Sequence, residues 1–123
     1  MQVVIMKKFL AIYLGTPTGA KMEQWNALEP DERKAREKAG MEGWFGFMQE
    51  HEKAFADPGS PIGKTKVVNE SGIADTHNAI SGYTILHAES HEAAAAIFEN
   101  HPHFSIFPGE SVEIMEILPM PQM

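Results

Sequence analysis

Apolar and polar positions alternate most clearly over residues 7–14, KKFLAIYL. There Leu10, Ile12 and Leu14 fall on one side of an extended chain, and Phe9, Ala11 and Tyr13 on the other. Both sides are apolar, which predicts a central strand covered on both faces. The pattern loosens through GTPTGAKMEQWNALEP, a loop with room for a helical turn around residues 22–28. A long helix is predicted from Pro30, which suits a first helical position, with Asp31 and Glu32 at its positive end. The mixed-sign run DERKAREK reads as its solvated face. Gly40, Gly43 and Gly46 mark either a break or a close approach of another segment. The stripe Trp44, Phe47/Met48, His51, Phe55 keeps helical spacing until DPGSP (57–61) stops it.

Residues 62–68, IGKTKVV, read as the second strand, with lysines of the kind that protect a sheet edge. NESG (69–72) is a turn, and IADTHNAIS is either a loop or a short return strand. GYTILHA (82–88) is a strand, Ser90 caps the helix HEAAAAIFEN, and SVEIMEIL (111–118) is the last strand. The order β-α-β-β-α-β predicts an α+β, ferredoxin-like sandwich: a four-stranded antiparallel sheet with helices on one face. Two helices cover one face only, yet the first and last strands are apolar on both. A second copy is the simplest cover, so the expectation is a homodimer through the other face.

Composition narrows the function. The 123 residues form one expected domain, 1–123, 43% hydrophobic and 22% charged. The absence of cysteine excludes disulfides, thiolate metal sites and a cysteine nucleophile. Ten Lys+Arg against seventeen Asp+Glu give a net charge of −7, the wrong sign for a sequence-independent grip on nucleic acid. The start resembles a secretory leader superficially. However, Phe9–Leu14 is too short, it contains Tyr13, and TPTGA is no A-x-A cleavage site. No run approaches the ~20 apolar residues of a membrane span, so a cytoplasmic protein is expected. Glycine-rich phosphate loops and a G-x-S-x-G elbow are missing.

The chemistry that remains centres on His101-Pro102-His103. Two imidazoles on one side of an extended segment could hold a metal, but a third ligand would have to come from His77, His87, Glu50 or His51; no metal site is assigned. A proton-transfer role needs a carboxylate such as Asp75 or Glu50 to orient a ring. Alternatively, His101 contacts the last carbonyls of the preceding helix. Trp44 is either core or a plane for a substrate ring. Lys64 could meet a substrate carboxylate or simply guard an edge, and Asp75 and Asn78 are substrate-binding candidates in a segment where turn formation is their usual work.

KKFLAIYLG, the long helix, GKTKVV, GYTILHAES, the alanine-rich helix, HPHF and VEIMEI together resemble the YCII-related proteins, over nearly the whole chain. The resemblance implies a dimeric ferredoxin-like domain; a few members of the family act on small aromatic or chlorinated rings. The family's proposed site pairs a helix histidine with an aspartate before a proline, ahead of the last strand. Here His101 stands in the aspartate's place, and the helix position falls at Gly43–Phe47, around Trp44. An Asp-Gly-Pro-Phe motif of one branch is represented by Asp75 alone. The reading that follows is a small-molecule enzyme of isomerase or dehydrochlorinase type. It would need no organic cofactor, with His101 or His103 moving the proton and Trp44, Lys64, Asp75 and Asn78 binding substrate. The alternative is a non-enzymatic dimer that binds a small apolar metabolite or serves as an accessory subunit.

Overall fold

Phe9, Ala11 and Tyr13, alternate residues of strand β1 (Lys7–Leu14), are all but inaccessible to solvent, while Leu10, Ile12 and Leu14 are half-buried. The computed structural model describes residues 5–121, so the first four residues and the end of the PMPQM tail lie outside it. β1 pairs antiparallel with β5 (Ile80–Ala88) on one side and with β6 (Ser111–Glu116) on the other. The register sets Phe9 opposite Leu86 and Ala11 opposite both Thr84 and Ile114, so these residues share a face. Phe47, Ala94 and Phe98 pack on that face from the helical side and complete the core. The reverse face carries Leu10, Ile12, Tyr83, Ile85 and Met115.

The fourth strand is not where the sequence pattern puts it. Helix α1 (Ala20–Ala27) and helix α2 (Pro30–Glu50) follow β1, and a short 3-10 turn (Glu52–Ala54) leads into β2, Phe55–Pro61. β2 pairs with β5 at the sheet edge, giving the order β2-β5-β1-β6, antiparallel throughout. The DPGSP segment thus forms a strand instead of a stop. Proline is tolerated at an edge, where its missing N–H faces away from the ladder. The register shifts around Asp57–Ser60, where Asp57 Oδ1 accepts the Gly59 N–H at 2.9 Å and Gly59 adopts φ +83°. Any side chain at Gly59 would overlap the Tyr83 carbonyl, so glycine is required there on two counts.

The IGKTKVV segment instead supplies β3 (Thr65–Asn69), which pairs with β4 (Gly72–Thr76) in a two-stranded hairpin apart from the main sheet. Its turn is closed by Asn69 Oδ1 accepting the Ser71 N–H, with Gly72 at φ +107°. Ser90 caps α3 (His91–Ala96) by accepting the Ala93 N–H, but this helix is shorter than its sequence pattern and unwinds into a turn ending at Asn100, φ 56°. α2 runs unbroken through its three glycines. A Cβ at Gly40 would overlap the Phe107 ring and one at Gly43 would press on Pro102, whereas Gly46 faces open space. The first two therefore seat the segment that follows α3. Among the described residues, no helix is long and apolar enough to cross a membrane.

Candidate functional site

His101 and His103 flank the start of α4 (Pro102–Ser105), a single turn laid against α2 and the end of β1. Pro102 suits a first helical position, and His101 is its N-cap. The Nδ1 of His101 accepts the His103 backbone N–H at 3.0 Å, as a serine or asparagine would. His101 therefore caps the helix that follows it, and not the end of the one before.

That bond fixes the tautomer: with Nδ1 accepting, the proton of the neutral ring sits on Nε2. Nε2 is buried and has no hydrogen-bond partner. The ring, 1% exposed, stands nearly perpendicular to Trp44 (centroids 4.5 Å apart) and Phe47 (4.4 Å), so ring edges meet aromatic faces. Burial, with a smaller contribution from His103, lowers its pKa to about 3. His101 is neutral at any physiological pH.

His103, 8% exposed, is oriented differently. Its Nε2–H donates to the Leu14 carbonyl at 2.8 Å, tying α4 to the end of β1 and leaving Nδ1 as the unprotonated nitrogen. Gly109 lies flat against the ring, and a Cβ there would overlap it. Burial lowers the His103 pKa; bonds to the Leu14 and Ser111 backbone work against that, and the Lys21 charge adds to it. Tyr13 completes the corner with ring centroids 5.1 Å from Trp44, 5.3 Å from His101 and 5.4 Å from His103. Its hydroxyl donates to Thr84 Oγ1 (2.8 Å), which in turn donates to the Pro58 carbonyl, and burial raises its pKa.

The sequence-predicted site residues thus fall into two groups. Trp44, His101 and His103 meet at this corner. Lys64, Asp75 and Asn78 instead line a hollow of about 500 Å³ between the hairpin and the start of β5, together with Lys66 and His77. Asp75 faces Lys66 across the hairpin at 2.6 Å and Glu50 lies beside His51, so neither carboxylate orients a corner histidine. Among the described residues, no three histidine or carboxylate side chains gather as a metal site.

A second hollow, about 150 Å³, opens beside the corner under α1, lined by Lys21, Trp25, Arg36, Phe104 and Phe107 among others. Lys21 Nζ donates to the Phe104 carbonyl at 2.6 Å, and Phe107 bridges Trp25 (5.9 Å) and Trp44 (6.3 Å). Glu110 stands near Lys21, but its Oε1 is taken by the Thr16 N–H and hydroxyl, which hold its pKa low. Sequence pattern left Lys21 and Arg36 unmarked. A lone lysine in a loop and an arginine in a mixed charge run carry no local signature.

No protein-family model matches the chain, and a search of curated proteins found no significant relative. Among solved structures, the chain is similar to the 5-chloro-2-hydroxyhydroquinone dehydrochlorinase TftG of Burkholderia phenoliruptrix AC1100, determined in complex with 2,5-dihydroxybenzoquinone. The match has a TM-score of 0.50 and 13% identity, over 88% of this chain and 90% of that one. At that identity, the likeness is one of fold.

Proposed function

We infer that this chain is a YCII-like protein that handles a small ring compound by proton transfer without an organic cofactor, at the corner where β1, α2 and α4 meet. The order β2-β5-β1-β6 with antiparallel pairing supports a ferredoxin-like topology with the β3–β4 hairpin as an insertion. The reverse face of the sheet, bearing Leu10, Ile12, Ile85 and Met115, supports a homodimer formed through it. A cytoplasmic location belongs to the same proposal.

The observation that carries the functional reading is the convergence of Tyr13, Trp44, His101 and His103, with centroids 4.5–6.2 Å apart, beside a hollow of one-ring size. In this reading His103 accepts the proton at Nδ1, held in the right tautomer by Leu14, while His101 and Trp44 position it. The 2,5-dihydroxybenzoquinone bound by the structural neighbour belongs to the same class of single-ring compound.

A second reading, a binding protein without turnover, is favoured by one observation: each histidine already has a nitrogen committed to a structural bond. The test is a panel of hydroxylated and chlorinated hydroquinones followed by absorbance, with wild type and His103→Gln. Turnover lost in His103→Gln, with an unchanged circular dichroism spectrum, is expected. Equal turnover in both would remove the catalytic role of His103. Binding with no turnover by wild type would leave only the binding reading.

A further inference from the structure

The hollow beside the histidine corner has a size and lining that define a ligand more narrowly than the fold does. We propose that it is a binding site for a planar, single-ring aromatic anion, with Lys21 and Arg36 meeting the charge and the Trp25–Phe107 pair forming the wall on which the ring lies. This rests on the small-ring reading above and names the class of ring.

Size comes first. The hollow holds about 150 Å³, comparable with a cavity known to accept one benzene ring, and it opens to solvent on a partly polar rim where the charge of a ring anion can sit. Charge comes second. The chain carries −7 overall, yet the lining holds two cations and no carboxylate. Lys21 is fixed by one bond to the Phe104 carbonyl, which leaves two of its three N–H donors to serve a ligand. Glu110, whose charge is felt by Lys21, is engaged by Thr16 and does not line the hollow. Shape comes third. Trp25 and Phe107 lie 5.9 Å apart at 44°, packed on each other, and together form one aromatic wall of the hollow against which a flat ring can lie. Phe107 continues to Trp44, so a ring seated here lies one aromatic layer from His101 and His103.

The test is titration of the full chain with benzoate, followed by tryptophan fluorescence and calorimetry, with acetate and benzyl alcohol as probes lacking the ring or the charge. Benzoate is expected to bind at least tenfold more tightly than either, and less tightly as salt rises. Lys21→Met and Arg36→Met should each weaken benzoate about tenfold or more, the scale of one charge-assisted hydrogen bond, with an unchanged circular dichroism spectrum. Lys66→Met, at the larger hollow, should leave binding unaltered. Benzoate binding no tighter than acetate would overturn the proposal, as would a loss in Lys66→Met equal to that in Lys21→Met. The wild-type protein separates the two readings: benzoate binding by a wild type that turns over none of the hydroquinones removes the proton-transfer chemistry and leaves the anion site. Turnover indifferent to both Lys21→Met and Arg36→Met removes the anion site and leaves the chemistry.

Discussion

At the corner of β1, α2 and α4, His101 and His103 are 1% and 8% exposed, and each has a nitrogen bonded to backbone. Along the β3–β4 hairpin, Lys64, Lys66, Asp75, His77 and Asn78 are exposed, and Val68 and Ile73 near its tip are 73% and 72% exposed. Both regions collect the residue types from which binding sites are made. Burial separates them. In the corner, a polar atom that loses its partner has no water to turn to, so each substitution leaves an orphan as well as a gap. On the hairpin, water replaces whatever is removed. A two-stranded hairpin with so little packed against it is also marginal by itself.

The sharpest way to break this contrast is His101→Ala. It removes the cap of α4 and empties a space enclosed by Trp44, Phe47, Phe98 and Tyr13. The expected loss is about 2–4 kcal/mol, combining a lost cap with a buried large-to-small change. His101→Asn keeps a capping oxygen and still loses the ring, so it should fall between the two in a urea melt. If alanine and asparagine were equally destabilising, the cap would contribute nothing. Next comes Gly109→Ala, whose methyl group would push into the His103 ring. Overpacking of that kind costs about 1–3 kcal/mol. It should also disturb the bond from Nε2 to Leu14, visible as a shift of the His103 ring resonances.

Acid probes the same corner without mutation. Both histidines have pKa values lowered by burial, that of His101 to about 3, so the unfolded chain binds protons that the folded one refuses. Their contribution to stability is therefore complete above the ordinary histidine value near 6.5 and is lost as pH falls from there toward 3. Glu110, with its pKa lowered by Thr16, adds a loss only below the ordinary carboxylate range. A falling melting temperature between about pH 6.5 and 4.5 thus reports the histidines. His101→Phe, which cannot take up a proton, should flatten that slope. A profile equally steep in the variant would mean that His101 is not the group responsible.

Much of this architecture was legible in the chain. The alternation of β1 and β5, the Ser90 cap and the Pro30 start all follow from local rules, because each is settled within a few residues. β2 was not legible, since Pro58, Gly59 and Pro61 carry the marks of a breaker. They become a strand only because they form a sheet edge beside β5, a fact of tertiary structure. The role of the α2 glycines was half-legible: close approach is a standing alternative to a break, but Phe107 and Pro102 as the approaching groups are not. HPHF stood out as the place to look, and Trp44 does lie beside it. That Lys64, Asp75 and Asn78 gather elsewhere follows from the displacement of the second strand, which carried them out into the hairpin.

The smallest effect is expected where the geometry looks strongest. Lys66 Nζ and Asp75 Oδ1 lie 2.6 Å apart, shorter than the side-chain bonds of His101 and His103, yet the two side chains are 69% and 86% exposed. In water the Coulomb attraction of such a pair is largely offset by solvation and by the freedom both side chains give up. Lys66→Ala, Asp75→Ala and the double variant should therefore each change stability by less than about 1 kcal/mol, with a coupling energy of a few tenths. The corner has the opposite balance, longer bonds and larger expected losses, because there distance matters less than what remains unpaired. A coupling energy above about 2 kcal/mol between Lys66 and Asp75 would show that the pair is shielded from water in solution. The hairpin would then have to be covered by something, and a second copy of the chain is the first candidate to test by light scattering at the same protein concentration.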